Sequence, residues 1–380
     1  MDFELSEEQR LLKESVDGLL ANTYDFEQRK RYIKENGGWS KLIWQKLAGQ
    51  GLLGVPFAES DGGFGAGAVE TMIIMEAIGR ALVLEPYLPT VVICGGFLRH
   101  GGSVAQKVAH LPSIIDGSRT LAFAQLEKSS RYDLYDITTS AKKRGKGWVI
   151  DGEKLVVING QSAETLVVTA RSRGAQRDKG GIGVFLVPAD AKGLTKKIYA
   201  TQDGLHAADV TFTSVEVGAE AVVGDPENAL SLIERVVDEA RAALCAEAVG
   251  AMDESLKITV EYLKTRKQFG VLIGSFQSLR HRAADMFVAL EQARSMSMLA
   301  TMATNCDDAA DRLQLVAAAK VQIARSGKLI GEEAIQLHGG IGMTMDARIG
   351  HYFKRLTMVE RAFGDPGYHL RRVSESGPLV

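Results

Sequence analysis

Two short stretches of this chain carry residue types suited to holding a phosphate. Tyr262-Leu-Lys-Thr-Arg266-Lys-Gln-Phe269-Gly270 contains a guanidinium, a planar fork of donors that keeps its charge at any working pH. Gln336-Leu-His-Gly339-Gly340-Ile-Gly342 follows an apolar helical pattern with two residues that lack Cβ, leaving backbone N–H groups open to an anion. Each stretch alone has a plainer reading. Lys264, Arg266 and Lys267 form a charged turn, and Gly-Gly-x-Gly commonly stops a helix. His338 is a lone histidine with no assigned chemistry. A third glycine run, Gly62-Gly-Phe-Gly-Ala-Gly67, follows Pro56 and Asp61 rather than a strand and lacks a Lys-Ser/Thr, so it reads as a connecting loop.

The elements around these stretches fall into three regions, giving an α+β organisation. Residues 1–118 read mainly as helices, with Ser6 as N-cap, Gln9 as its capping-box partner, and Leu11, Leu12, Val16, Leu19 and Leu20 at helical spacing. Residues 119–226 form a β domain, a small barrel or sandwich, with strands expected at 120–125, 148–150, 154–158, 165–170, 182–187 and 208–217. Gly145-Lys-Gly147 and Asp151-Gly152 read as turns, and Arg171 to Gly181 as a solvated charged loop. Helical patterning returns over 227–380, where Ile233, Val236, Val237, Ala240, Leu244, Ala248 and Met252 keep a three-to-four spacing.

Bulk composition narrows the classes of function. The 380 residues, 46% hydrophobic, suffice for two or three domains with a sizeable core. With 45 basic and 47 acidic residues the formal charge is -2, which gives no pointer to nucleic acid or an anionic membrane surface. Cys94, Cys245 and Cys306 lack metal-ligand or disulfide-framework spacing, so no metal is expected and a reducing cytoplasm fits. The acidic N-terminus lacks a secretory-signal layout, and no apolar run reaches the roughly 18 residues of a membrane span.

The first stretch, with Phe276-Gln277 and Ala284-Asp-Met286, resembles the Arg-x-x-Phe-Gly…Phe-Gln…Ala-Asp-Met signature of flavin-dependent acyl-CoA dehydrogenases. The second stretch is similar to another signature of that family. The resemblance implies an N-terminal helical domain, a middle β domain and a C-terminal four-helix bundle that builds a tetramer. It implies FAD, with Arg266 on the pyrophosphate, Phe269, Gly270 and Gln277 lining the cofactor, and Gln336, Gly339 and Gly340 on the adenosine half of a neighbour's FAD. The implied reaction is α,β-desaturation of an acyl-CoA in fatty or dicarboxylic acid degradation, with electron-transfer flavoprotein as acceptor.

The departures from the family pattern lie on the reactive side. Most members place a catalytic Glu before a Gly downstream of the Gly-Gly-x-Gly motif, and that position is Phe363. Other branches place it before an Arg on the first C-terminal helix, where Ala240 precedes Arg241. Glu239 is the remaining candidate base, although a step of one helical residue turns its carboxylate about 100° from the Ala240 face. Asp238, Glu360 and Asp365 read as surface charge. Phe123-Ala-Gln125-Leu-Glu127…Asp133 resembles the opening of the flavin pocket, with Lys128, Ser129 and Arg131 replacing its Pro and glycines. Val156 and Ile158 occupy the places of a flavin-shielding Trp and a hydroxyl donor, while Asn159-Gly160 is retained.

These departures point to the small subunit of a heteromeric α2β2 acyl-CoA dehydrogenase whose related partner chain supplies the base and flavin-ring contacts. Arg131-Tyr132-Asp133 and His351-Tyr352-Phe353-Lys354-Arg355 are similar to small subunits of pimeloyl-CoA-type enzymes. The alternatives are a self-sufficient FAD homotetramer with a relocated base, a non-catalytic acyl-CoA or partner-binding protein, and a flavin monooxygenase-like relative.

Overall fold

A computed structural model describes residues 4–377. The helices begin with α1 (Glu7–Thr23), whose Ser6 hydroxyl accepts from the Gln9 N–H while the Gln9 side chain accepts from the Ser6 N–H, the expected capping box. There follow α2 (Phe26–Tyr32), α3 (Lys41–Gly49), α4 (Ala68–Ala81), α5 (Gly95–Gly101) and α6 (Val104–Ile115). The glycine run at 62–67 is a loop between a short 3-10 turn (Glu59–Asp61) and α4. Next come β1 (Leu121–Ala124), β2 (Ser140–Arg144), β3 (Gly147–Ile158), β4 (Thr165–Arg171), β5 (Ile182–Pro188), β6 (Leu194–Ala200), β7 (His206–Val217) and β8 (Val222–Val223). The C-terminal region holds α7 (Leu230–Thr265), β9 (Lys267–Gln268), β10 (Val271–Leu272), α8 (Gln277–Ala303), α9 (Ala309–His338), α10 (Arg348–Arg361) and α11 (Pro366–Glu375). Among the described residues no helix is long and apolar enough to cross a membrane, and no group of three His, Cys, Asp or Glu side chains is arranged to hold a metal.

Packing divides the chain into two compact units, with the division falling inside α7. One unit comprises the segment ending at Lys30, Ala68–Val83, and the segment from Arg241 onward; the other comprises Arg31–Gly67 and Leu84–Ala240.

In the second unit β1 to β8 pair into one sheet with the path β6-β7-β3-β2-β4-β5-β8, while β1 pairs with β4 in parallel. β4 and β5 are nearly continuous apolar runs because both of their faces are covered. Trp148, Ile150, Leu166, Val168, Phe185, Val210 and Phe212 meet in one apolar core, with Trp148 edge-on to Phe185 at 5.4 Å between ring centroids. Two strands depart from the sequence expectation. β2 (Ser-Ala-Lys-Lys-Arg) and β6 (Leu-Thr-Lys-Lys-Ile-Tyr-Ala) are lysine-rich and largely uncovered, so apolar content does not mark them. In β6, at the sheet edge, such lysines discourage further strand pairing. The Gly145-Lys146 turn joins β2 to β3, but Asp151-Gly152 is not a turn; it lies within β3 at a register shift against β7.

In the first unit, α4 and α7 cross closely enough that a Cβ on Gly79 would lie 1.8 Å from the Glu247 carbonyl oxygen, and one on Gly250 would lie 1.9 Å from that of Glu76. A bidentate ion pair from Arg355 to Glu247, at 2.6 and 2.8 Å, ties α10 to α7. The long helices α8 and α9 pack together, with α10 and α11 against α9.

Candidate functional site

The helix α7 runs directly into the first signature. The Arg266 N–H donates to the Tyr262 carbonyl at 2.9 Å, and the Arg266 carbonyl accepts from Ile273 N–H at 2.9 Å. Between them β9 and β10 form a tight hairpin whose central residues, Phe269 (φ 55°) and Gly270 (φ 80°), both lie in the left-handed region. That is the backbone of a two-residue hairpin turn, in which Gly270 is at ease and Phe269 is strained. Phe269 is 89% exposed, and its ring meets Phe276 edge-on at 6.2 Å. Gln277, the first residue of α8, is also exposed.

The second signature closes α9. Gln336 is exposed on its last turn, and the Gln336 carbonyl accepts the Gly339 N–H. Gly339 takes φ 62° and ψ -144°, and a Cβ on either Gly339 or Gly340 would meet nothing within 4 Å. A glycine conformation beside open space leaves main-chain groups approachable. The two signatures meet through rings: Tyr262 and His338 stack with centroids 4.5 Å apart and planes 24° from parallel. His338 is buried, not free for chemistry, and its Nδ1–H donates to the Ala334 carbonyl at 2.7 Å. Helical spacing alone gave no signal for this contact, because the rings lie 76 positions apart in sequence on different helices.

Glu239 and Asp365, acids near the other candidate positions, are committed elsewhere. Ala240 is fully buried, as its helical position requires, and Glu239 points elsewhere. The Glu239 carboxylate accepts from Arg99 at 2.5 Å and His100 at 2.7 Å, with Arg235 at 3.9 Å, and its side chain is only 12% exposed. Burial acts to raise its pKa, but the His100 hydrogen bond and the charges of Arg99, His100 and Arg235 outweigh burial and hold it below the ordinary carboxylate value. Asp238, expected at the surface, is 1% exposed and so corrects that reading. The Asp365 carboxylate caps α11 by accepting from Tyr368 N–H at 2.8 Å. Phe363 (φ 54°) offers only its carbonyl, which accepts from Arg241 Nε at 3.0 Å. His369, 1% exposed, packs beneath Gly364, and its pKa is driven down to about 2 by burial and by the nearby charges of Arg241 and Lys320.

Comparison with known proteins places this geometry. The acyl-CoA dehydrogenase N-terminal, middle and C-terminal domain models match residues 6–118, 122–216 and 230–377. Acyl-CoA dehydrogenase FadE12 of Mycobacterium tuberculosis is 31% identical over 90% of this chain and 88% of its own length. The chain belongs to the acyl-CoA dehydrogenase family. Members of this family are oxidoreductases acting on CH–CH bonds. The ChsE4-ChsE5 complex from Mycobacterium tuberculosis contains a chain that superposes with a TM-score of 0.89 at 26% identity, each chain covered in full at 100%. PigA with FAD and proline superposes with a TM-score of 0.90 at 25% identity, covering 99% of this chain and 98% of that one.

Against that family pattern, the β unit is braced where flavin-ring contacts would be sought. Val156, 39% exposed, takes φ 49° at an irregularity of β3, and its N–H donates to Asp209 Oδ1 at 3.1 Å, an oxygen that also accepts from the Tyr199 hydroxyl at 2.7 Å. Asn159, fully committed inside the fold, accepts from the Ser162 hydroxyl at 2.6 Å. Glu127 and Lys154 form a buried pair at 2.7 Å, and Glu127 also accepts from the N–H and hydroxyl of Thr138 and from Thr139 N–H. Arg171 is not solvated as the charged segment suggested; it is 8% exposed, and its guanidinium donates to the carbonyls of Tyr135, Ile137, Arg173, Gln176, Asp178 and Gly180. A cleft of about 510 Å³ in the same unit is lined by Trp39, Gln161 and Ser162 among others, but Trp39 Nε1 donates to Ser162 and Gln161 Nε2 donates to the Gly37 carbonyl. Those two donors serve the fold, and the cleft lies apart in sequence from both signature stretches.

Proposed function

We propose that this chain is the small subunit of a heteromeric FAD-dependent acyl-CoA dehydrogenase, assembled with a related chain as an α2β2 tetramer. In this reading residues 1–118, 119–226 and 227–380 are its helical, β and helical domains. Arg266 pairs with the FAD pyrophosphate, Phe269, Gly270 and Gln277 line it, and Gln336, Gly339 and Gly340 take the adenosine half. The fit rests on the chain's own groups: an exposed guanidinium next to a hairpin, and a glycine turn with open space where a Cβ would stand. When bound, FAD supplies the acceptor for the hydride leaving the acyl β carbon.

The residues of this chain bind and orient rather than take the α proton. The observation that carries the reading is the pairing of this anion-suited face with side chains at both base positions that accept no proton, Ala240 and Phe363. General-base catalysis contributes roughly 10²- to 10⁴-fold, so its loss must be made good by another chain. Glu239 is a poor relocated base because two guanidinium groups and the His100 imidazole surround its carboxylate. That weakens the self-sufficient homotetramer reading. Similarity to a chain of the ChsE4-ChsE5 complex supports a two-chain assembly. The substrate in this reading is an acyl-CoA thioester and the electron acceptor is electron-transfer flavoprotein.

The test is FAD retention in the assembled protein carrying Arg266→Ala. Loss of the charged partner of a pyrophosphate should weaken FAD binding by at least tenfold, since hydrogen bonds to charged groups contribute about 1.5 to 3 kcal/mol. Unaltered FAD content would remove Arg266 from the cofactor site. A binding-only protein would retain no flavin at all, and a monooxygenase-like relative would give an oxygen-dependent hydroxylated product.

A further inference from the structure

We propose that Tyr262 and His338 form a positioning pair that holds the two segments of the ADP-binding face, Arg266 and Gly339-Gly340, in register with one another. The inference rests on the reading that this face holds the ADP half of FAD.

Tyr262 stands one helical turn before Arg266, and its carbonyl is the acceptor for the Arg266 N–H at 2.9 Å. His338 is the last residue of α9 and immediately precedes Gly339, whose N–H returns to the Gln336 carbonyl. The stacked rings, 4.5 Å apart, therefore join the end of α7 to the end of α9 at the residues from which both signatures depart. The imidazole is itself fixed: Nδ1–H donates to the Ala334 carbonyl at 2.7 Å, one turn back on the same helix. Burial lowers its pKa and favours the neutral ring, a form that stacks without desolvating a charge. Beyond the pair both turns are open to solvent. Phe269 is 89% exposed, and nothing within 4 Å would meet a Cβ on Gly270, Gly339 or Gly340. Two exposed turns cannot keep a fixed separation by themselves, so a ligand that spans them depends on the brace behind them.

The experiment measures the FAD dissociation constant and the KM for acyl-CoA in the assembled, flavin-loaded protein. Aromatic pairs contribute enough for Tyr262→Leu to raise the FAD dissociation constant about 3- to 10-fold, while Tyr262→Phe, which keeps the ring, stays within about twofold of wild type. His338→Leu should match Tyr262→Leu, and the double substitution should be no worse than either alone, because the second change removes an interaction already lost. The KM for acyl-CoA should not move, which separates positioning of the cofactor from general loosening. If Tyr262→Leu fails to assemble, Tyr262→Met takes its place with a better-matched volume.

Unchanged FAD affinity in Tyr262→Leu or its substitute, with Arg266→Ala weakened, overturns the positioning role and leaves the cofactor reading standing. Unchanged FAD affinity in both overturns the two together. Equal losses in Tyr262→Phe and Tyr262→Leu also overturn it, since the ring would then not be the operative feature.

Discussion

The Glu127–Lys154 pair offers a prediction whose size follows from the geometry. The Lys154 ammonium is fully buried, Glu127 is 3% exposed, and their charged atoms lie 2.7 Å apart. Burial acts to raise the Glu127 pKa, but the Lys154 charge and the hydrogen bonds from Lys154 and Thr138 outweigh it and bring the group from 4.5 down to about 2. Burial of Lys154 pulls the other way by lowering its own pKa, so the pair contributes less than the Glu127 shift taken alone. Because the folded Glu127 value is the lower one, the unfolded chain binds more protons between the two. The stabilisation is therefore complete above pH 4.5 and disappears as pH falls towards about 2.

Lys154→Met removes the counter-charge at similar length and strands the carboxylate among Thr138 and Thr139. Breaking such a buried pair costs about 3 to 5 kcal/mol. The Glu127 pKa should then rise through burial, so that the acid-limb loss flattens or reverses. Urea unfolding followed by circular dichroism at pH 7 and at pH 3 reads both effects. A cost below about 1 kcal/mol at pH 7, with an unchanged acid limb, would refute the electrostatic reasoning.

Other substitutions probe separate parts of the structure. Glu239→Gln in the assembled enzyme should leave steady-state turnover within about threefold while lowering stability by about 1 to 3 kcal/mol, because Arg99 and His100 lose their charged acceptor; abolished turnover with FAD still bound would restore Glu239 as the base. Arg171→Lys replaces six carbonyl partners with an ammonium that has three donors, so stability should fall by about 2 to 3 kcal/mol and limited proteolysis should open residues 172–181. Gly79→Ala would set a methyl 1.8 Å from the Glu247 carbonyl oxygen and should destabilise by about 3 kcal/mol or more, measured by thermal unfolding. Val156→Gly should relieve the cost of φ 49° at a β-branched residue, and a fall in melting temperature would show that Val156 packing outweighs that strain.

The features legible in sequence were those fixed by local pattern. Ser6 and Gln9 foretold their capping box, and the helical rotation between Glu239 and Ala240 appears as a fully buried alanine beside a carboxylate turned towards Arg99 and His100. What sequence concealed depends on contacts between distant segments. Lys154 is buried against Glu127 from 27 positions away, and Arg171 draws in carbonyls from both sides of the strand. Arg171 read locally as part of a solvated loop, and nothing in the strand expected at 154–158 marked Lys154 as buried. Asp238 misled in the same way, because a charged residue one step off an apolar stripe is still enclosed when the helix is packed on more than one side. The lysines of β2 and β6 hid two strands for the opposite reason: sheet pairing uses the backbone and tolerates solvated side chains.

The division of labour between two chains is tested most directly by purifying this chain alone and again after co-expression with a related acyl-CoA dehydrogenase chain that carries a glutamate at the position matching Ala240 or Phe363. Flavin absorbance and acyl-CoA oxidation with an electron acceptor are read in both preparations. The subunit reading predicts a colourless, inactive chain that becomes yellow and active only in the complex. A chain that is yellow and active by itself would contradict it.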